Sequence, residues 1–191
     1  MGVTIGDDFD PALVRRARAG HRAARAELLR ELQDMWYRYC LSMLHDPDAA
    51  RDATQETALR FLAGLSRFRG ESRLKTWSLG IALNVCREAR RQRRSQPTTA
   101  ELETSVHAEP APDAIAIARE EARRLHHAIA HLPPRQREAV VLRYFERLSL
   151  RETALAMGCA VGTVKATLAQ AVARLRETQQ APPLPHETSP A

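Results

Sequence analysis

Residues 149–176, SLRETALAMGCAVGTVKATLAQAVARLR, restrict the fold more than any other stretch of this chain. Ser149 and Glu152 have the spacing of a capping box, in which each side chain satisfies a backbone N–H that the first helical turn leaves unpaired. A helix is predicted to begin there, with Ala154, Leu155 and Met157 on its apolar face and Gly158 supplying a left-handed stop. Val161, Val164, Leu168 and Val172 recur at three- and four-residue steps, which predicts a second helix directly after that turn. Two short helices pinched together in this way make either a hairpin within an all-α core or a helix-turn-helix, whose second helix lies in the major groove of DNA.

Charge favours the second reading. The 191 residues carry 29 Lys and Arg against 23 Asp and Glu, a net +6, and a basic chain suits a polyanionic partner through counterion release from phosphates. The distribution is uneven. Residues 1–95 hold 18 basic and 12 acidic groups, 96–113 hold four acids and no base, and 114–191 hold 11 and 7. Only Lys75 and Lys165 are lysines, so the positive charge sits almost wholly on guanidinium groups, which bind phosphate in bidentate fashion. Cys40, Cys86 and Cys159 are odd in number and far apart, which argues against a disulfide framework or a zinc site and for reduced thiols in the cytoplasm. No apolar run approaches the ~18 residues that a bilayer span needs, so membrane insertion is not expected.

The remaining punctuation is helical throughout. Asp10-Pro11 and Asp46-Pro47 are N-cap and first-turn pairs, opening a short helix that Gly20 ends and a third helix that runs to about residue 65. Between them a long helix is predicted over 21–44, with Ala24, Leu28, Leu32, Met35, Tyr39 and Met43 as its stripe. A loop over 66–72 contains Gly70, and a fourth helix over 73–94 carries Trp77, Ile81, Ala82 and Val85 before turning strongly basic. Trp77 falls on that apolar stripe and is read as core. Residues 96–113, with three prolines and no apolar period, predict an extended linker; helices over 114–131 and 135–146 then lead into the helix-turn-helix. The expectation is an all-α chain of two small helical domains, 10–95 and 114–178, joined by an acidic linker and followed by a disordered tail over 179–191.

Three stretches in this order resemble the extracytoplasmic-function group of the sigma-70 family, bacterial transcription initiation factors: DPDAARDATQETALRFL at 46–62, FRGESRLKTWSLGIALNVCREARRQRR at 68–94, and LPPRQREAVVLRYFERLSLRETALAMGCAVGTVK at 132–165. The resemblance spans roughly residues 10–177. It implies that core RNA polymerase, through its β′ clamp helices and β flap, and promoter DNA are the partners, with an anti-sigma factor as a further one and no cofactor. Asp48, Asp52, Gln55 and Glu56 lie at i, i+4, i+7 and i+8, a polar ridge opposite Ala50, Ala53 and Phe61. By itself this is an ordinary solvated face; the resemblance implies that it docks on the polymerase.

The same resemblance places promoter −10 recognition on the 68–94 stretch. Arg69 in the RFRGES loop, with Asn84 and Arg87 one helical turn apart, would read single-stranded bases, while Arg90, Arg91, Arg93 and Arg94 grip phosphates. Few aromatics are left to drive duplex opening, so stringent promoter choice is expected. Thr163, Lys165, Thr167 and Gln170 point away from the apolar stripe of the last helix and would meet the −35 element. Here the chain departs from the family, which has Ser-Arg and further basic residues after GTVK where this one has Ala166, Thr167, Ala169 and Gln170. Ala160 also offers no capping side chain. Weak −35 binding is the expectation. In the linker, Glu101, Glu103, Glu109 and Asp113 suit either an inert spacer or a mimic of RNA in the polymerase channel.

Other functions fit less well. His127 and His131, at i and i+4, could face one metal, but no third ligand has a suitable spacing, and no phosphate loop or nucleophile motif is present, so neither a metal site nor an enzyme is expected. The main rival is a two-domain helix-turn-helix regulator that binds an operator without core polymerase. Such a protein has no use for the 46–62 ridge or the 68–94 basic helix.

Overall fold

The computed structural model describes residues 9–95 and 123–180, and every regular element among them is helical. The first four helices are α1 (Pro11–Arg18), α2 (Arg22–Leu44), α3 (Pro47–Gly64) and α4 (Leu74–Ser95). Their starts follow local chemistry. Asp10 accepts the Ala12 N–H at 2.9 Å, and Asp46 accepts those of Asp48 and Ala49 at 2.9 and 3.1 Å, each with proline in the first turn. Gly20, at φ 96°, closes α1, whereas α2 ends on His45 in the left-handed region at φ 55°, a conformation in which glycine or asparagine is usual.

The stripe of α2 is buried as its period implies, and Trp36, Tyr39, Phe61, Leu79 and Leu83 fill the space between α2, α3 and α4. The Trp36 indole N–H is satisfied by Ser78 Oγ at 3.1 Å. Trp77 packs between Phe61 and Phe68, with ring centroids 5.3 and 5.0 Å away. Gly64 permits this: a Cβ there would sit 3.0 Å from the indole Cζ2.

In the second half, α5 covers 123–130 and α6 is Pro134–Val140. The single helix predicted over 135–146 is in fact two geometries, because Val141–Phe145 widens into a π turn closed by Glu146 N–H to Val141 C=O at 2.9 Å. α7 (Leu150–Met157) opens on the capping box, with Ser149 N–H to Glu152 Oε2 at 2.8 Å and Glu152 N–H to Ser149 Oγ at 3.2 Å. Gly158, at φ 65°, turns the chain into α8 (Val161–Gln180), bent by 100° from α7.

Two residues assigned to the apolar stripe point outward: Leu155 is 53% exposed and Val161 37%. The cause is that α7 lies between α4 and α8. It buries Thr153, Ala154, Ala156 and Met157 around most of its girth, which leaves Leu155 on the one open side, while the buried stripe of α8 is Val164, Leu168 and Ala171 and begins one turn after Val161. The α4–α7 crossing is close: a Cβ added to Gly80 would lie 3.5 Å from the Ala156 carbonyl oxygen. One apolar core therefore runs through both halves of the molecule. The linker 96–113, its four acids, most of the helix predicted over 114–131 and the tail from 181 lie outside the described residues.

Candidate nucleic-acid interface

The outer face of α8 exposes Thr163, Lys165 and Gln170, with Thr167 half-buried and its hydroxyl turned back to the Thr163 carbonyl at 2.8 Å. Gln170 receives a long contact of 3.5 Å from Gln136. Lys165 is thus the single formal charge among the four, on a helix standing at the angle to its partner that a helix-turn-helix uses.

On α3 the polar ridge is open to solvent. Asp48, Asp52 and Gln55 are exposed; Asp48 pairs with Arg51, and Glu56 with Arg60 at 2.6 Å. Arg60 also grips both oxygens of Glu88 on α4 at 2.9 and 2.7 Å, a fork that holds the Glu88 carboxyl below its usual range. A groove of about 270 Å³ lies beside the ridge, lined by Leu29, Trp36, Tyr37, Thr54 and Ala58 among others.

The seven residues associated with −10 recognition are not presented together. Arg69 is exposed, 3.8 Å from Glu71, and Asn84 and Arg91 face solvent. Arg93 binds Asp46, whose carboxyl is pulled down chiefly by that bond, and the side chain of Arg94 lies outside the described set. Arg87 and Arg90 turn inward. Both hold Glu138 of α6: Arg87 reaches its two oxygens at 3.3 and 2.8 Å, and Arg90 reaches one at 2.5 Å. The Glu138 side chain is 1% exposed.

Two further ion pairs cross between the halves. Arg73 lies 3.3 Å from Glu152, and Lys75 donates to the Glu146 carbonyl at 2.9 Å with its carboxylate at 3.7 Å. Burial raises the Glu146 carboxyl and Lys75 only partly offsets it. Burial also pushes Glu152 up, but the Ser149 cap and Arg73 outweigh it, and the group ends below its ordinary range. Arg137 donates to His45 and to the Leu132 carbonyl; burial, then the Arg137 charge, lower the His45 ring to about 4.

The pairings of Arg73, Lys75, Glu138, Glu146 and Glu152 were not foreseen from sequence. One signal was available: Glu138 precedes the apolar run AVVL at a helical phase that should be buried, and a buried acid demands a partner. Among the described residues no three His, Cys, Asp or Glu side chains form a metal-binding group. His127 and His131 stack on one another, ring centroids 4.1 Å apart. All three cysteines are free, and no single helix among the described residues is long and apolar enough to cross a membrane.

Family comparisons agree with this architecture. Residues 28–96 match Sigma-70 region 2, and residues 122–175 match Sigma-70, region 4. The chain is 35% identical over 180 residues to the ECF RNA polymerase sigma factor SigC of Mycobacterium tuberculosis, covering 90% of this chain and 92% of that one. It is 30% identical to the RNA polymerase sigma-H factor of Pseudomonas aeruginosa, over 87% and 92% of the two chains. Among solved structures, the sigma factor RpoE of Bartonella quintana, in complex with the anti-sigma factor NepR, has a TM-score of 0.63 at 26% identity, covering 83% of this chain and 98% of that one. CnrH, in complex with the cytosolic domain of CnrY, shares the fold with a TM-score of 0.66 at 22% identity, over 88% and 95%. With both conserved regions in order and a helix-turn-helix at the end of an all-helical chain, this protein belongs to the extracytoplasmic-function group of the sigma-70 family, whose members bind core RNA polymerase and promoter DNA to direct transcription initiation.

Proposed function

We propose that the lobe over 10–95 docks on the β′ clamp helices through Asp48, Asp52, Gln55 and Glu56 and reads the −10 element with Arg69, Asn84, Arg87, Arg90, Arg91, Arg93 and Arg94. The lobe over 114–178 contacts the −35 element with Thr163, Lys165, Thr167 and Gln170 and meets the β flap. The reading is carried by the exposed polar face of α8, presented beyond a capping-box helix and a left-handed Gly158 turn. The open acidic ridge on α3 supports the polymerase assignment by charge and accessibility.

The protein works by binding and positioning, with no catalytic step of its own, in the cytoplasm where its polymerase resides. The anti-sigma complex of the Bartonella quintana relative makes a protein of that kind a partner to seek here, on the surfaces the polymerase uses. Run-off transcription with purified core enzyme on a genomic promoter library tests the whole reading. Wild type should initiate at a discrete set of sites. An Asp48→Arg, Asp52→Arg double variant should lose most core association in a pull-down while keeping its helical circular dichroism. Initiation at full level by that variant would remove the ridge from the interface.

A further inference from the structure

Promoter and polymerase binding give no task to His127 and His131. Both are exposed, the first in the last turn of α5 and the second directly after its end. Their rings stack with centroids 4.1 Å apart and planes 38° from parallel. The stack is also oriented. The His131 Nδ1–H donates to the His127 carbonyl at 2.8 Å, which makes Nε2 the nitrogen of that ring with an available lone pair. From this arrangement we propose that His127 and His131 form a two-imidazole site for a borderline divalent transition metal such as Zn²⁺, and that the bound ion staples the C-terminal turn of α5. None of the residues assigned to DNA or polymerase takes part, so the inference stands apart from that reading.

Helical spacing supplies the pair, since side chains four residues apart lie on one face a turn above each other. A metal-bound histidine ordinarily donates its other N–H to a carbonyl or carboxylate, and His131 has that bond in place. An ion at about 2.0–2.1 Å from one nitrogen of each ring sets the centroids roughly 4.5–5 Å apart. The stacked rings therefore need to part by less than about 1 Å, a small side-chain rotation.

The surroundings select the kind of metal. Among the described residues no third His, Cys, Asp or Glu completes a set with this pair. His45 comes within electrostatic range of His131, but its Nε2 is held by Arg137. Hard cations such as Mg²⁺ and Ca²⁺ need oxygen ligands, which the pair does not offer, whereas imidazole suits Zn²⁺, Ni²⁺ and Cu²⁺. Water fills the remaining positions. Half the protein ligands of a structural zinc site should give a Kd of roughly 1–100 µM.

The staple acts where the backbone holds least firmly. The His131 N–H is shared between the His127 and Ala128 carbonyls, both at 3.2 Å, and the Leu132 N–H reaches Ile129 at 3.1 Å before two prolines restart the chain. Fraying of this turn separates the two rings, so an ion that needs both of them favours the closed turn. Ile129 and Leu132 of the same turn are buried, and the ion would fix the corner from which α6 departs.

The test titrates full-length protein with zinc chloride in a non-coordinating buffer at pH ~7.5, where imidazole is ordinarily neutral, by isothermal calorimetry. Wild type should bind with the affinity given above. His127→Gln and His131→Gln should each weaken binding at least about tenfold. His126→Gln, whose ring lies edge-on to Phe145, should keep the wild-type affinity. All three positions are exposed, so the variants should retain the wild-type circular dichroism. Magnesium chloride should give no heat of binding. With zinc at about ten times its Kd, amide exchange of His131 and Leu132 should slow about tenfold.

No zinc binding by wild type up to about 1 mM would overturn the site. So would wild-type affinity in either the His127→Gln or the His131→Gln variant, which would place the ion elsewhere on the chain. Unchanged exchange of both amides at saturating zinc would overturn the staple.

Discussion

Acid should loosen this protein in a window set by one histidine. His45 sits in the left-handed joint between α2 and α3, facing Arg137 of α6, with Arg90 of α4, His131 and its neighbour Asp46 as the other charged or titratable groups around it. Its ring is held neutral down to about 4, against an ordinary 6.5, because it is half-buried and accepts from a guanidinium. A depressed histidine contributes stability that is fully present above 6.5 and is lost as pH falls toward 4. At pH ~5.5 the linkage relation gives a loss of at most about 1.4 kcal/mol, and solvent screening reduces this to about 1 kcal/mol. With a urea slope of about 2 kcal/mol/M, the unfolding midpoint should drop by about 0.5 M between pH ~7.5 and ~5.5.

His45→Asn keeps a residue that tolerates the left-handed conformation and removes the titration. The variant's midpoint should stay nearly flat over the same interval. Other groups cancel in the comparison. Glu146, raised by burial, loses stability as pH climbs and regains it in acid, while Asp46, Glu88 and Glu152, all held low, lose theirs only below their ordinary range. Proton NMR of the imidazole gives an independent check. Parallel midpoint curves for wild type and His45→Asn, or a His45 ring titrating near 6.5, would refute the argument.

Removing the capping hydroxyl with Ser149→Ala should cost about 1 kcal/mol and lower the thermal midpoint by about 2–4 °C in a calorimetric scan. Phe61→Ala, which empties a site enclosed by Trp36 and Trp77, should cost about 3–5 kcal/mol in urea unfolding. Lys165→Ala should flatten the salt dependence of duplex promoter binding by about one, and the wild-type slope should already be shallow because Lys165 is the one charge among the four residues proposed to meet the −35 element.

Local chemistry explains which features could be read from the chain alone. Asp10-Pro11, Asp46-Pro47, Ser149 with Glu152, and Gly158 act within one turn of themselves, so their spacing carries the information and each cap has the partner expected of it. The α2 stripe is equally legible, since a buried face imposes its period on every turn. Leu155 was misassigned because periodicity identifies a stripe but not how many neighbours a short helix has; α7 is enclosed on two sides. The π turn leaves no mark in a run such as VVLRYF, whose residues suit an α-helix as well. Least legible was the pairing of Arg87 and Arg90 with Glu138. Arg87 and Glu138 are 51 residues apart, with the linker between them, and no periodic rule couples an arginine that looks solvated to an acid in another element.

The π turn has an outcome for how length changes are tolerated. Val141–Phe145 holds one more residue per turn than the helix it extends, so deleting a single residue there lets the segment relax to ordinary α geometry. Everything downstream would keep nearly its original orientation, whereas the same deletion within the regular helix α6 would rotate it by about 100°. The Ser149 cap, the Gly158 corner and the outer face of α8 would keep both their internal order and their aim. Val141–Phe145 is thus the place in this half of the molecule where losing one residue should disturb its surroundings least.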